Sequence, residues 1–305
     1  MRISKSFTIL FLLLPWTLVS QAMGAQESAI TFTQRARSLQ PGELVFIEAA
    51  SSRPLRRLVI EAFDRQFLAF DEQNGLKWIG LVGIDLETKP ARYEMKLSGI
   101  DTNGKSVIAR GTLVVAEKKF PVRELTVDEK YVTPPEQVLG RIQEERERVD
   151  LIFATVTPER FWNGSFLFPV PGEVISVFGK RNIYNKKPRS PHSGVDFRGA
   201  VGTLVRAPNA GRVVLCSELY YSGNTVILDH GLGLYSYFGH LSEFSVKEGD
   251  MIRSGGVVGK VGATGRVTGP HLHWTVRLAG SLIDPLSLVD ILGSAAEPKS
   301  STKTK

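Results

Sequence analysis

The sequence predicts a mainly β protein in which a short helix connects two β-rich regions. Short apolar segments alternate with turn residues from about Gly42 to Thr126, and the same texture, with many glycines, returns after Pro158. Between them, Pro134 and Pro135 stop the strands and precede a charged segment with a helical period. The 305 residues, 42% hydrophobic and 23% charged, have room for about two domains and exclude wholesale disorder and a multi-span membrane protein.

Residues 1–25 have the layout of a secretory signal. Arg2 and Lys5 precede an apolar run from Phe7 to Leu14, and small residues end the segment at Ala25. The alternative is a membrane anchor, but a proline interrupts the apolar stretch before it reaches the roughly 20 residues that a bilayer span needs. We therefore expect cleavage after this segment and an exported mature chain, in the periplasm, the cell envelope or outside the cell, with no membrane span.

Residues 26–132 are predicted to form an Ig-like β-sandwich that serves as an accessory domain. The stretch Asp101–Gly104 predicts a turn between two strands, because Asn and Gly tolerate positive φ. This region contains no histidine and no cysteine, which favours a role in binding or spacing over chemistry. The segments predicted to be its strands are Leu44–Ile47, Leu58–Phe63, Trp78–Ile84, Tyr93–Leu97 and Val107–Val115.

Residues 133–165 are predicted to be a helical linker. Glu136 to Asp150 is rich in Glu and Arg and carries apolar residues at helical spacing. Its charge run is typical of a solvated helix face. One hypothesis is that this linker blocks the groove of the next domain until it is removed.

Residues 166–292 are predicted to form the second β domain, followed by a flexible tail at 293–305. The single cysteine of the chain, Cys216, lies in the strand-like segment Arg212–Cys216. One cysteine excludes an internal disulfide, so stability has to come from packing. Cys216 is expected to be a small apolar packing residue.

The histidines are the candidate chemical groups, and all of them lie in the second β region. They are His192, His230, His240, His271 and His273. His192 and Asp196 flank a glycine turn that leads into a strand near Val195. An imidazole nitrogen and a carboxylate oxygen are both zinc donors, so this pair can converge on one cation.

The pair His271 and His273 belongs to a segment that reads as a strand. Side chains alternate along a strand, so the two imidazoles share one face and form a platform for a metal or for proton transfer. His240 ends another apolar strand and is expected to belong to the site, whereas His230 opens a turn and is expected to be structural.

The segment from about Phe168 to Pro285 resembles the β-sheet peptidase domain of the M23 family, the lysostaphin and LytM type of zinc metallopeptidase. Trp274 and Gly239 depart from the residues more usual in the family, but neither change removes a donor. The run Leu125–Val132 is similar to the β-sandwich that precedes this domain in some exported bacterial members. The matching pieces are Phe178–Arg181, His192–Asp196, Gly223–Ile227, Tyr237–Leu241, Glu248–Asp250 and Thr264–Trp274.

The resemblance implies the roles of five residues. His192, Asp196 and His273 would bind one zinc ion (Zn2+) per chain, and His271 and His240 would be the catalytic histidines beside the metal. Three protein ligands leave the fourth tetrahedral position to water, whose pKa zinc lowers to about 7. His271 is then placed to accept the water proton, and His240 to stabilise the oxyanion or protonate the leaving amine; the division of these two roles stays open.

These expectations together predict a secreted zinc metalloendopeptidase that hydrolyses peptide bonds in peptidoglycan stem peptides or cross-bridges, with zinc-bound water as the nucleophile. After loss of Arg2 and Lys5 with the signal, the mature chain has 36 basic and 31 acidic residues, and this net charge of +5 would help to keep it on an anionic cell wall. No basic and aromatic recognition motif is present, so nucleic acid is not an expected partner. The expected partners are peptidoglycan peptides and proteins of envelope division or cell-wall remodelling.

Three alternatives remain open from the sequence. One is a non-catalytic envelope adaptor that activates a cell-wall amidase, and another is an exported protease that acts on proteins. The third makes Glu248 to Gly259 a biotinyl or lipoyl carrier hairpin. Carriers present a lysine at a turn tip, whereas Lys260 lies within an apolar, strand-like run.

Overall fold

The computed structural model describes residues 29–125, 133–188 and 190–293. The predicted signal at 1–25, the sequence 126–132 and nearly all of the predicted tail lie outside the described residues. The structure is mainly β with antiparallel sheets, which confirms the predicted fold class. Within the described ranges, no helix combines the length and the apolar character that crossing a membrane requires.

The first β region forms a seven-stranded antiparallel sheet. Its strands are β1 (Ile30–Ala36), β2 (Leu44–Ser51), β3 (Leu55–Ala62), β4 (Arg65–Asp71), β5 (Lys77–Gly83), β6 (Ala91–Asp101) and β7 (Ser106–Val115). Their spatial order is β1-β2-β5-β4-β3-β6-β7. The two ends of this path approach each other, because a Cβ atom on Gly111 of β7 would lie 2.5 Å from Cζ of Phe32 of β1. The Ig-like topology stays a prediction.

The predicted strands of this region fall in β2, β3, β5, β6 and β7, whereas β1 and β4 were not predicted. The predicted turn after β6 is present, and the Asp101 side chain adds a second cause to the positive φ that was expected. The Asp101 carboxylate accepts the backbone N–H groups of Asn103 (2.9 Å) and Lys105 (2.8 Å), and Gly104 takes the positive φ of 81°. The aspartate side chain therefore organises this turn as an Asx turn.

A 3₁₀ turn at Glu136–Val138 leads into helix α1, Leu139–Ala154. The helix begins close to the predicted start and runs four residues beyond the predicted end at Asp150. Phe153 is buried against Tyr235, with ring centroids 5.5 Å apart. The helix therefore lies on the second β region, not free between the two regions.

The second β region forms a ten-stranded sheet, and a small three-stranded sheet lies beside the chain's linking helix in sequence. The strands are β8 (Val122–Leu125), β9 (Val174–Ser176), β10 (Arg181–Tyr184), β11 (Lys187–Pro188), β12 (Val195–Arg198), β13 (Leu204–Arg206), β14 (Gly211–Leu219), β15 (Gly223–Gly231), β16 (Leu234–Phe244), β17 (Met251–Ile252), β18 (Val257–Val261), β19 (His271–Leu278) and β20 (Ser281–Ile283). The main path of the large sheet is β17-β14-β15-β16-β19-β12-β9, strand β18 joins β13 to β16, and β20 pairs with β19. The small sheet has the order β11-β10-β8, and β8 precedes helix α1.

Helix α2, Pro285–Leu292, ends the described chain and was not predicted. The Asp284 carboxylate accepts the N–H of Leu286 at 3.0 Å, and Pro285 occupies the first helical turn, a favourable start for a helix. Ser287 is fully buried and accepts the N–H of Leu44 at 2.9 Å. This hydrogen bond joins the last helix to the first β region.

One hydrophobic core continues through both β regions. It includes Leu44 and Val82 of the first region and Ile283 and Leu288 of the second, all of them inaccessible to solvent. Burial of this kind contributes about 25 cal/mol per Å² of apolar surface, so the junction stabilises both sheets. The domain limits 26–132, 133–165 and 166–292 stay predictions.

An ion network crosses the same junction. Glu43 is 2% exposed, and its carboxylate binds Arg37 at 2.9 Å and Lys118 at 3.1 Å. Arg37 also binds Asp284 at 2.8 Å. Burial alone would raise the pKa of Glu43, but the hydrogen bond and charge of Arg37 outweigh it and hold that pKa below its usual value.

We expect Glu43→Gln to lower the free energy of unfolding by about 2–3 kcal/mol, because it removes the buried charge that pairs with two cations. Urea unfolding at pH 7 measures this change. The matched control is Glu94→Gln, since the Glu94–Arg110 pair is exposed on both sides and is worth about 0–1 kcal/mol. If the two substitutions lowered the free energy of unfolding equally, the ion network of Glu43 would stabilise the protein no more than an exposed ion pair does.

Candidate metal centre

Strands β12 and β19 bring an acid and a histidine directly opposite each other. They pair in antiparallel register with Asp196 facing His273. Their neighbours on the opposite face, including Phe197 and Trp274, are buried in the core. Because side chains alternate along a strand, burying the apolar residues turns Asp196 and His273 to the other face.

The third predicted ligand, His192, reaches this point from the loop before β12. Its backbone N–H donates to the carbonyl of Lys180 at 2.9 Å, and its own carbonyl accepts the N–H of Gly179 at 2.8 Å. The donor atoms converge: Asp196 Oδ1 lies 3.0 Å from His192 Nε2 and 2.8 Å from His273 Nδ1. The two nitrogens are 3.1 Å apart. The structure thus brings all three predicted ligands together.

The second nitrogen of each of these imidazoles has its own partner. His192 Nδ1 lies 2.9 Å from the carbonyl oxygen of Val177, which can only accept. His273 Nε2 lies 2.9 Å from Oγ1 of Thr275, which is 3.2 Å from Oγ of Ser193. Protonation of these outer nitrogens leaves the lone pairs of His192 Nε2 and His273 Nδ1 directed at the centre, as a metal ligand needs.

The charges of the cluster suit a cation. Burial alone would raise the pKa of Asp196, but hydrogen bonds and charge interactions with His192 and His273 outweigh it and hold that pKa well below its usual range. Burial lowers the pKa of His273, which favours its neutral form. One carboxylate and two imidazoles form a donor set that zinc accepts, at about 2.0–2.2 Å per bond. The residues present therefore fit a zinc ion.

The two predicted catalytic histidines lie beside these donors. His271 Nε2 is 3.8 Å from Asp196 Oδ1, and its Nδ1 is 2.9 Å from the carbonyl oxygen of Gly269. The rings of His240 and His271 have centroids 4.8 Å apart, and His240 Nδ1 is 3.0 Å from the Thr264 carbonyl oxygen. Each ring therefore has one nitrogen held by a backbone carbonyl.

His240 reaches the site through an unusual backbone conformation. Gly239 pairs with His273, so regular alternation would turn the next side chain, that of His240, toward the core. The φ angle of His240 is instead 65°, in the left-handed region, and the register between β15 and β16 shifts across this residue. A non-glycine residue costs roughly 1–2 kcal/mol in this conformation. This local distortion brings His240 to the face of His271 and His273.

Burial and local hydrogen bonds determine the surroundings of His240, His230 and Cys216. Burial lowers the pKa of His240 to about 4, with a further contribution from nearby His273. His230 lies apart from the cluster and is fully buried between the Ala210 carbonyl (2.7 Å) and Ser236 Oγ (2.9 Å). Cys216 is half-buried in β14, where its thiol lies 3.2 Å from the carbonyl oxygen of Val246.

Several residues that support the site were not predicted. Val177 and Thr275 meet the outer nitrogens of the ligands, Ser193 contacts the Thr275 hydroxyl, and the Ser222 carbonyl accepts the backbone N–H of His240 at 2.7 Å. The alternation of β19 could have indicated Thr275, which follows His273 by two residues on the same face. The others depend on contacts between distant loops, for which the sequence carries no local signal.

The fold and this cluster define a β-sheet protein with a three-ligand candidate metal centre. Comparison with known proteins agrees. Residues 190–285 match the model of peptidase family M23. A crystal structure from Pseudomonas aeruginosa, assigned to peptidase M23, is 30% identical and superposes with a TM-score of 0.64, covering 83% of this chain and 95% of its own. The chain belongs to peptidase family M23.

Two curated relatives each match part of the chain. The DD-carboxypeptidase/endopeptidase Mpg of Neisseria meningitidis serogroup B is 41% identical over 97 residues, which are 32% of this chain and 22% of the relative. The peptidoglycan DD-endopeptidase ShyA of Vibrio cholerae is 35% identical over 122 residues, 39% of this chain and 28% of that protein. The match therefore spans less than a third of the length of either relative.

We expect acid to destabilise the protein partly through His230. Burial lowers its pKa from 6.5 to about 4, so the unfolded chain binds a proton that the folded chain resists between these values. Folding stability should then fall as pH decreases from about 6.5 to about 4, by roughly 3 kcal/mol for this group. Urea unfolding of the wild type and of His230→Gln at pH 7.5 and 4.5 measures it. Glutamine does not titrate, so the variant should lose less stability; an equal loss would assign the effect to other groups.

Proposed function

We propose that this chain is an exported zinc metalloendopeptidase that hydrolyses peptide bonds in peptidoglycan stem peptides or cross-bridges. The observation that carries the proposal is the convergence of His192, Asp196 and His273 within 3.1 Å of one another at the ligating atoms. Two further histidines beside this cluster supply groups for proton transfer. A purely structural metal site has no use for those two histidines.

His192, Asp196 and His273 would hold the metal through Nε2, a carboxylate oxygen and Nδ1 respectively. With three protein ligands, a bound zinc ion supplies an activated water and polarises the substrate carbonyl. Thr275 keeps the ring of His273 in place, and the Val177 carbonyl does the same for His192. The Val177 carbonyl fixes the tautomer of His192 with the Nε2 lone pair at the centre, and the Thr275 hydroxyl can accept from Nε2 of His273, which leaves the Nδ1 lone pair at the centre.

The two remaining histidines would handle the protons of amide hydrolysis. His271 is the nearer of the two to Asp196 and would accept the proton of the attacking water at Nε2, because its Nδ1 faces the Gly269 carbonyl. The Nδ1 of His240 faces the Thr264 carbonyl, so this residue would act from Nε2. Once Nε2 has taken up the proton removed from the attacking water, it would stabilise the developing oxyanion or protonate the leaving amine. Positioned proton transfer of this kind contributes about 10²–10⁴-fold to a rate.

The substrate class follows from the relatives and from the candidate leader. The Vibrio cholerae relative is named a peptidoglycan DD-endopeptidase, and residues 1–25 have the layout of an export signal. Extended peptides suit a groove of β-strands. We place the protein in the periplasm or cell envelope, with peptidoglycan peptides as substrate and with division or wall-remodelling proteins as the class of partner.

We expect the purified protein to bind one zinc ion per chain. Asp196→Asn should weaken zinc binding by more than about 100-fold, because changes outside the ligand shell already cost about 10–100-fold. Metal analysis after dialysis, together with calorimetric titration, measures both. The matched control is Asp150→Asn on helix α1, whose carboxylate is exposed. Undiminished binding in Asp196→Asn would place the metal elsewhere.

We expect the zinc-loaded protein to release peptides from purified peptidoglycan. Cleavage should stop with a chelator, return with zinc and fall by about 10²–10⁴-fold in His271→Ala, while that variant keeps its metal. Mass spectrometry of the products identifies the bond. Intact wall material would contradict the proposal. Stimulation of an amidase without cleavage would favour the adaptor, and cleavage of proteins alone would favour the protein protease.

A further inference from the structure

Helix α1 lies on the sheet face that carries the candidate metal centre. Tyr235 pairs with Arg277 and Gly239 pairs with His273, so these positions share one face by the alternation of β16 and β19. Phe153 of the helix contacts the Tyr235 ring, and the Arg277 guanidinium lies 4.7 Å from the centroid of the Phe153 ring. The helix therefore covers one end of the face on which His273 stands.

A carboxylate of this helix holds the loop that follows β14. Glu145 Oε2 accepts the backbone N–H of Tyr220 at 2.7 Å. Its other oxygen, Oε1, accepts from Arg141 Nε at 2.6 Å, and the Arg141 guanidinium lies 3.5 Å from the Glu218 carbonyl oxygen. The Glu145 side chain is only 18% exposed. With both oxygens engaged, the carboxylate fixes the loop against the helix.

The same loop holds the backbone of His240. Ser222, two residues after Tyr220, accepts the His240 N–H at 2.7 Å. Its hydroxyl accepts from the Tyr237 hydroxyl at 2.5 Å and lies 2.8 Å from Thr225 Oγ1. The left-handed conformation of His240 persists only where its surroundings impose it. The Ser222 carbonyl holds the backbone N–H of this strained residue, and the Thr264 carbonyl meets its ring.

We propose that Glu145 is a positioning residue for the hydrolytic site, acting through the loop 219–223 on His240. The inference rests on the proposed function, because it assumes that His240 takes part in the reaction. It gives helix α1, which lies outside the family-matched segment 190–285, the role of a brace that activity requires. A helix that supports activity is the opposite of the earlier hypothesis, in which the linker inhibits the protein by blocking the groove.

The test compares Glu145→Ala, Glu145→Gln and the control Glu147→Ala in the full chain loaded with zinc. Glu147 lies on the same helix, and its carboxylate meets only the exposed Gln143 side chain among the hydrogen bonds of the described residues. Amide hydrogen exchange at Tyr220 and His240 measures directly how stably the loop is held. Steady-state kinetics on wall peptides, with zinc content measured in parallel, report its effect on the reaction.

In Glu145→Ala we expect faster exchange at both amides and a kcat lower by about 10- to 100-fold, as for a reacting group moved by about 1 Å. The change in KM should be smaller, and zinc content should stay at one per chain. Glu145→Gln keeps an acceptor oxygen for Tyr220 and should recover most of the kcat. Glu147→Ala should match the wild type.

The positioning role is overturned if Glu145→Ala keeps the exchange rates or the kcat of Glu147→Ala. It is also overturned if Glu145→Gln is as impaired as Glu145→Ala while both stay folded, because the accepted hydrogen bond would then be irrelevant. A wild type that cleaves no wall peptide contradicts the proposed function itself. Wild-type cleavage with an unchanged kcat in Glu145→Ala contradicts the positioning role alone.

Discussion

The antiparallel register between β12 and β19 is the constraint on which the candidate site depends. It sets Asp196 opposite His273, with the carboxylate oxygen 2.8 Å from the ring nitrogen. Side chains alternate with a period of two, so a slip of one residue would turn the carboxylate into the core and present Phe197 in its place. His192 lies in the loop before β12, and it completes the set of three donors only because the pairing of Asp196 with His273 is fixed.

The opposite face of the same two strands fixes that register. Phe197, Leu272 and Trp274 are at most 2% exposed, and Trp274 also donates its indole N–H to Ser236 Oγ at 3.2 Å. Ser236 in turn meets the buried ring of His230. An indole with a directional hydrogen bond resists sliding more than an aliphatic residue would, so core packing and a buried polar contact together hold the donors in place.

Local patterns in the sequence predicted the β class and the linking helix, whereas the resemblance to the M23 family implied the gathering of four histidines and one aspartate. The alternation of side chains along a strand places His271 and His273 on one face, and this can be read from the sequence alone. It places His240 on the wrong face, since only the positive φ at that residue, held by Ser222, reverses its direction. The half-exposed strand β1 and the eight-residue helix α2 were missed because their patterns are short or mixed, although Asp284 before Pro285 is a recognisable helix start.

The interior shared by the two sheets limits how this scaffold can be recombined with others. A graft cut at residues 190 and 285 would leave behind Phe178, whose ring lies against Gly42, and Ser287, which accepts the N–H of Leu44. It would open apolar surface to water and lose helix α1 as well. A chimeric hydrolase built on this chain would therefore need both sheets and helix α1 to be kept together.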